Sequence, residues 1–141
     1  MTYLLDTCII SELRKKEKIE TSVLEWFENK DSDAFSLSVV TIAEIWNGIE
    51  LLPRSRKRTL LEDWFYGEIL TEFKDKIIPI DERIAMEWGS LDAVFRKKGK
   101  PLSVQDLYIA ATAKVYGMAI VTINVKDFIH DDITVINPWC L

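Results

Sequence analysis

Short apolar runs alternate with amphipathic helical segments along the chain, and this alternation limits the possible folds more than any other feature. Strand-like runs are predicted at residues 3–6, 35–37, 77–80, 119–121 and 133–136. Continuous apolar strands joined by helices are typical of a parallel sheet that is covered on both faces. The sequence therefore predicts an α/β fold of three layers, α/β/α, with a central, mostly parallel sheet of four to five strands.

The helical segments between these runs carry recognisable start and stop signals. Ser38, Asp81 and Ser103 are predicted N-caps, since their side-chain oxygens can accept hydrogen bonds from the free backbone N–H groups of a first turn. Pro53 and Gly117 are predicted to end helices. The predicted helices cover residues 8–16, 21–29, 38–52, 55–73, 81–97 and 103–117.

Length and composition favour one soluble domain spanning residues 1–141. The chain has 141 residues, of which 48% are hydrophobic, and a formal net charge of −5. No apolar run reaches the roughly 18 residues that a membrane helix needs, and Asp6 comes too early for a signal peptide. The two cysteines, Cys8 and Cys140, do not suggest a secreted disulfide framework. We therefore expect a cytoplasmic protein without a membrane partner.

Four acidic residues occur where such a fold would collect them at one edge of its sheet. Asp6 ends the first strand, Glu44 lies in the helix after the second, Asp106 opens a helix and Asp127 follows the fourth strand. Ligands of open α/β sheets bind outside the carboxyl ends of the strands. Glu44 and Asp106 also share helical stripes with apolar residues, so we expect both to face inward.

Each acid alone also has an ordinary structural explanation. Asp6 and Asp106 could act as helix caps, Glu44 could border an amphipathic helix and Asp127 could be a turn residue. Together they would repel, by roughly 4 kcal/mol for a pair about 4 Å apart at an effective dielectric near 20. A hard divalent ion with oxygen ligands, Mg²⁺ or Mn²⁺, is the natural neutraliser.

Other catalytic chemistries lack their residues in this chain. His130 is the only histidine, and there is no Gly-x-Ser-x-Gly motif, no zinc-ligand spacing and no glycine-rich phosphate loop. Basic residues cluster at 14–16, 54–58 and 96–100. Such clusters are either solvated helix ends or, around an acidic pocket, contacts for a polyanionic substrate.

Four segments of the chain, taken in order, resemble the PIN-domain ribonucleases. They are residues 3–8 (YLLDTC), 36–45 (SLSVVTIAEI), 101–113 (PLSVQDLYIAATA) and 121–128 (VTINVKDF). The resemblance is strongest to the VapC-type toxins of bacterial toxin–antitoxin pairs, including the FitB-like branch, and it covers nearly the whole chain.

The resemblance implies a set of site residues. Asp6, Glu44 and Asp106 would be the catalytic and metal-binding acids, and Asp127 a fourth catalytic acid. Whether Asn124 or Asp127 completes the site is left open. The supporting polar residues would be Thr7, Thr122 and Asn124. Many relatives have Arg after this threonine, whereas the present chain has Ile123, so the role of that arginine is unassigned here.

The resemblance also implies a function. The protein would be an Mg²⁺- or Mn²⁺-dependent endoribonuclease that hydrolyses RNA phosphodiester bonds, and the toxin of a type II toxin–antitoxin pair. Its partners would be RNA, a small antitoxin protein and a second copy of itself in a homodimer. The expected phosphate contacts are Arg96, Lys97, Lys98 and Lys100. The alternatives are a receiver-like Mg²⁺-binding signalling module without enzymatic activity, and a binding-only descendant of the nuclease fold.

Overall fold

A five-stranded sheet forms the centre of the molecule. In the computed structural model, which describes residues 1–141, the strand order is β3-β2-β1-β4-β5 and every neighbouring pair is parallel. The strands are β1 (Tyr3–Leu5), β2 (Phe35–Ser38), β3 (Ile77–Ile78), β4 (Ala119–Val121) and β5 (Val135–Ile136). The predicted α/β class is confirmed, and the sheet is parallel throughout.

Helices connect the strands and cover both faces of the sheet. They are α1 (Thr7–Leu13), α2 (Thr21–Glu28), α3 (Val39–Glu50), α4 (Arg56–Trp64), α5 (Leu70–Glu72), α6 (Glu82–Lys97) and α7 (Val104–Tyr116). The single helix predicted over residues 55–73 is divided, because a π-helical turn, Phe65–Ile69, separates α4 from α5. None of the helices combines the length and hydrophobicity needed to span a lipid bilayer.

Alternate residues of the strands supply two separate cores, one on each face of the sheet. Tyr3 and Leu5 of β1 pack with residues of α1 to α5, while Leu4 between them packs with α6 and α7. This alternation is the period of two that a pleated strand requires. Leu4 and Leu5 are both fully buried, and burial of each contributes about 1.5–3 kcal/mol to folding. β1 is therefore fixed from both sides.

The helix caps follow the sequence signals closely. Ser38, Asp81 and Ser103 each accept a hydrogen bond from a backbone N–H in the first turn of the helix that follows. Gly117 ends α7 in the left-handed region, at φ +65°. α1 is shorter than predicted, since it ends at Leu13 and Lys16 has a positive φ of 56°. The capped ends hold α3 and α7 at the carboxyl edge of the sheet.

Candidate active site

The order in which strands are added to the sheet reverses at β1, and the candidate site lies beside this strand. The chain first adds β2 and β3 on one side of β1, then crosses over and adds β4 and β5 on the other. In open parallel sheets this arrangement opens a crevice at the carboxyl ends of the two central strands. Here the residues that follow those strands are Asp6 after β1 and Thr122 after β4.

Asp6 combines the role of a helix cap with a fixed position in the site. One carboxylate oxygen, Oδ1, accepts a hydrogen bond of 2.9 Å from the backbone N–H of Thr7, at the start of α1. The other, Oδ2, accepts a bond of 2.8 Å from the hydroxyl of Thr122. The side chain is 8% exposed. The cap predicted as an alternative is therefore present, but it occupies only one of the two oxygens.

Thr122 links the ends of the two central strands. Its hydroxyl donates to Asp6 and accepts a 3.0 Å bond from the backbone N–H of Asn124. Cys8 Sγ lies 3.5 Å from the same oxygen. Thr122 is fully buried, so these bonds are shielded from water and hold the Asp6 carboxylate in one orientation.

Glu44 lies on α3, close enough to Asp6 and Asp106 for their negative charges to act on it. Burial raises the pKa of Glu44, and the negative charges of Asp6 and Asp106 raise it further. The nearby Thr7 hydroxyl lowers the pKa of Glu44, although that buried oxygen makes no hydrogen bond of standard geometry. A buried hydroxyl without a full partner is costly, so this position suits an additional polar ligand.

Asp106 occupies the first turn of α7, where Ser103 is the cap. The Ser103 hydroxyl accepts a 3.1 Å bond from the backbone N–H of Asp106. Burial raises the pKa of Asp106; a hydrogen bond with the Ser103 side chain opposes this, and the charges of Asp6 and Asp127 add to it. The predicted capping arrangement is formed by Ser103, and the Asp106 carboxylate remains available to the site.

Asn124 and Asp127 lie on the short 3₁₀ turn that follows β4. Asp127 is exposed, and its backbone N–H donates 3.1 Å to the carbonyl oxygen of Asn124. The Asn124 side chain makes no capping bond to this turn. Asp127 lines a cavity together with Asp106. The geometry thus places Asp127 beside Asp106 and leaves the amide of Asn124 free.

No basic side chain neutralises these acids. None of Asp6, Glu44, Asp106 and Asp127 takes part in any of the ion pairs of the chain. Equally, no three acidic, histidine or cysteine side chains stand close enough to form a ready-made cage for an ion. Mg²⁺ does not require such a cage, because it commonly takes one or two carboxylates and keeps several waters. Unpaired carboxylates and the free Thr7 hydroxyl fit a hydrated divalent ion.

Comparison with known families identifies the fold. A family model described as "PIN domain" matches residues 3–130. The chain belongs to the PIN-domain family. The resemblance inferred from the four sequence segments is therefore confirmed.

This PIN domain has relatives of similar length. The VapC ribonuclease Y4jK of Sinorhizobium fredii is 33% identical over 135 residues, which cover 96% of each chain. Toxin FitB of Neisseria gonorrhoeae is 33% identical over 136 residues, which cover 96% of this chain and 97% of the relative. The crystal structure of FitAcB from Neisseria gonorrhoeae superposes with a TM-score of 0.90 at 32% identity, and the match covers 99% of this chain and 100% of that chain.

Two of the four basic residues predicted to contact RNA lie beside the acids of this PIN domain. Lys98 and Lys100 line the same cavity as Asp106 and Asp127. Arg96 instead points to Asp92, at 2.9 Å from both carboxylate oxygens. Lys97 is exposed and does not line the cavity. The cluster therefore divides into residues at the site and residues beside it.

Sequence reasoning missed Lys126, which also lines this cavity. Its position in the segment V121-T-I-N-V-K-D-F, next to Asp127, was the signal available. Ile123, which stands where many relatives have Arg, is 48% exposed and lies outside the cavity. In the segment that follows β4, the positive charge thus comes from residue 126.

Proposed function

We propose that this PIN domain is a divalent-metal-dependent endoribonuclease that acts as the toxin of a toxin–antitoxin pair. The observation that carries the proposal is the group of unpaired carboxylates at the switch point of the sheet. Burial raises the pKa of Glu44 and of Asp106, and the negative charge of Asp6 raises both further. None of these three acids forms an ion pair with a basic side chain. Perturbed acids of this kind, collected in a crevice, are typical of sites that bind a cation for catalysis.

Asp6 and Asp106 are the proposed ligands of Mg²⁺ or Mn²⁺, and Glu44 binds directly or through a water. A bound ion would neutralise the phosphate charge and activate a water molecule as the nucleophile. Thr122 keeps the Asp6 carboxylate oriented toward the crevice. Asn124 and Asp127, on the turn after β4, would orient the attacking water; alternatively, a second ion near Asp127 would stabilise the leaving oxygen.

The names of the relatives support the choice of substrate and partner. One is a VapC ribonuclease and another is the toxin FitB. By analogy, this chain cleaves RNA, is neutralised by a small antitoxin protein and forms a homodimer. A receiver-like signalling role is not favoured, because the chain belongs to the PIN-domain family.

The nuclease activity is tested with purified protein and RNA in the presence of Mg²⁺, Mn²⁺ or a chelator. We expect cleavage with either metal, none in chelator, and a loss of roughly 10²–10³-fold in Asp6→Asn, the range found when one charge-stabilising group is removed. Asp63→Asn is the matched control, since Asp63 is exposed on α4 and forms no ion pair. Metal uptake by calorimetry without RNA cleavage would instead indicate the binding-only alternative.

The partner is tested by coexpression with any small open reading frame that adjoins the gene. We expect the two products to copurify, and the toxic effect of the PIN domain on growth to be suppressed. Gel filtration with light scattering then gives the stoichiometry. Growth that is unaffected by overproduction of the PIN domain alone would contradict the toxin role, even if the purified protein cleaves RNA.

A further inference from the structure

The cavity next to the acids has the size and lining of a site for one nucleotide. Its volume is about 380 Å³, and it lies between the end of α6, the start of α7 and the turn after β4. Ligand pockets in proteins typically begin at about 300 Å³. A nucleic-acid duplex is far wider than this space, whereas a single unpaired nucleotide fits it.

Three lysines from two separate elements meet in this cavity. Lys98 and Lys100 follow α6, and Lys126 comes from the 3₁₀ turn after β4. The end of α6 is rigid, because Gly99 has φ +72° and the N–H groups of Gly99 and Lys100 donate to the carbonyls of Arg96 and Phe95. These two bonds form a Schellman motif. The backbone of the two lysines that flank Gly99 is thus fixed beside the cavity that they line.

The three lysines have no partner within the protein. None of Lys98, Lys100 and Lys126 belongs to an ion pair, although Arg96, two residues away, is paired with Asp92. Three lysines against the two aspartates give the cavity a positive balance in a chain whose net charge is −5. Concentrated positive charge beside metal-binding acids favours a phosphate group as the ligand.

One side of the cavity is apolar. Phe95 is buried at its base, and Ile129 is 71% exposed at its rim. Exposure of a large aliphatic side chain next to three cations is not explained by the core. An unpaired base would cover it, since single-stranded RNA is recognised through bases that are turned out and packed against protein side chains.

We propose that this cavity binds one unpaired nucleotide adjacent to the cleaved bond, with its phosphate on Lys98, Lys100 and Lys126 and its base against Ile129. This inference rests on the proposed function, and it adds Lys126 and Ile129 to the residues that contact the substrate.

The phosphate contacts are tested by the salt dependence of binding, measured by fluorescence anisotropy with a short single-stranded RNA in chelator, so that no cleavage occurs. A variant with Gln at positions 98, 100 and 126 is compared with a control carrying Gln at positions 18, 57 and 74. The control lysines are exposed and unpaired, so both variants lose the same charge. Because a single phosphate is neutralised at this cavity, we expect the slope of log K against log salt to be smaller in magnitude by about 0.7 in the cavity variant than in the control. Equal slopes in the two variants would overturn the proposal.

The base contact is tested with Ile129→Ala, using Met86→Ala as the control because Met86 is 75% exposed on α6, away from the cavity. We expect Ile129→Ala to weaken binding of single-stranded RNA roughly fivefold and to leave binding of a fully paired hairpin stem unchanged. An equal effect on both RNAs would contradict the base contact.

These binding measurements separate the inference from the proposed function. Lysine-dependent binding by a protein that never cleaves RNA would support the nucleotide site and refute the nuclease. Metal-dependent cleavage with equal salt slopes in the two lysine variants would support the nuclease and refute the nucleotide site.

Discussion

Two regions of this molecule hold charged groups out of water, and they treat those charges in opposite ways. Between α3 and α4, Arg58 is 8% exposed and is surrounded by acceptors: Glu50 at 2.7 Å, Glu62 at 3.5 Å and the carbonyl of Leu52 at 3.1 Å. At the carboxyl edge of the sheet, the acids have only hydroxyl and backbone partners. The first region pairs its buried charge with carboxylates of opposite sign, although Arg58 Nε makes no hydrogen bond. The second region has no ion pair of its own.

The difference separates charge used for stability from charge kept for function. A buried ion that is paired with charges of opposite sign fixes neighbouring elements, and its removal leaves those partners unsatisfied. A group of acids without a counterion destabilises the metal-free folded protein, and binding of a cation removes that destabilisation. Substitutions in the two regions should therefore change different properties of the protein.

The largest effect is expected from Asp106→Asn. RNA cleavage should fall by roughly 10²–10³-fold, as for other losses of a charge-stabilising group. The free energy of unfolding in chelator should stay the same or rise, because the substitution removes repulsion with Asp6 and Asp127. Cleavage assays and urea unfolding curves measure the two properties, with Asp63→Asn as the control. Lower stability with normal cleavage would show that Asp106 serves only α7.

Arg58→Leu should produce the opposite pattern. We expect a loss of about 1–3 kcal/mol in the free energy of unfolding, somewhat below the usual cost of breaking a buried pair, because Glu50 is 44% exposed. Cleavage per folded molecule should be unchanged. Urea unfolding and a cleavage assay well below the melting temperature measure the two quantities. A loss of activity without a loss of stability would show that Arg58 and its partners on α3 and α4 contribute to catalysis. The two regions would then not differ in the way described.

Thr122→Val tests the connection between β1 and β4. The substitution keeps the shape of the side chain but removes the hydrogen bond to Asp6 Oδ2. Because partners that orient a metal ligand contribute roughly 10–100-fold to affinity or activity, we expect a loss of this size in the affinity for Mg²⁺ or Mn²⁺. Calorimetry with each metal measures it. Thr122→Ser, which retains the hydroxyl, should restore most of the affinity.

The smallest effect is a pH dependence of stability in chelator. The folded protein raises the pKa of Glu44 and Asp106 above their ordinary values of 4.5 and 3.8. It therefore retains protons that the unfolded chain releases, and the stabilisation is present below the ordinary values and lost as pH rises through the raised ones. We expect the contribution of these two acids to the free energy of unfolding to fall across that interval.

Two comparisons isolate that contribution. The double variant Glu44→Gln and Asp106→Asn should lack this part of the pH dependence, while Asp63→Asn should retain it. Saturating Mg²⁺ should recover the lost stability above the interval, because binding to the folded state alone stabilises it. Identical pH profiles of wild type and double variant would mean that folding does not raise the pKa of these two acids.

Features encoded locally were predictable from the sequence. Ser38, Asp81 and Ser103 are N-caps as predicted, because a cap depends only on the first turn of its own helix. The parallel sheet followed from the alternation of apolar runs with helices. The strand after residue 133 was predicted too long, since only Val135 and Ile136 pair with β4.

Features that depend on distant contacts were not predictable. Arg58 belongs to a basic cluster whose sequence indicates a solvent-exposed helix end. The side chain is nevertheless buried, with Glu50 of α3 and Glu62 of α4 as its partners. The position of Lys126 in a cavity with Lys98 and Lys100 depends on how α6 packs against the turn after β4. The four acids could be identified by residue type and order, but their separations are set by helix packing that no short motif encodes.

The bond between Asp6 and Thr122 joins residues 116 positions apart, and this separation matters during protein synthesis. β1 leaves the ribosome first, while the strand that completes the crevice beside it is among the last segments to be translated. A nascent or prematurely terminated chain that lacks β4 cannot assemble the site. A cell that makes this protein is thus exposed to a competent crevice only after translation of the chain is nearly finished.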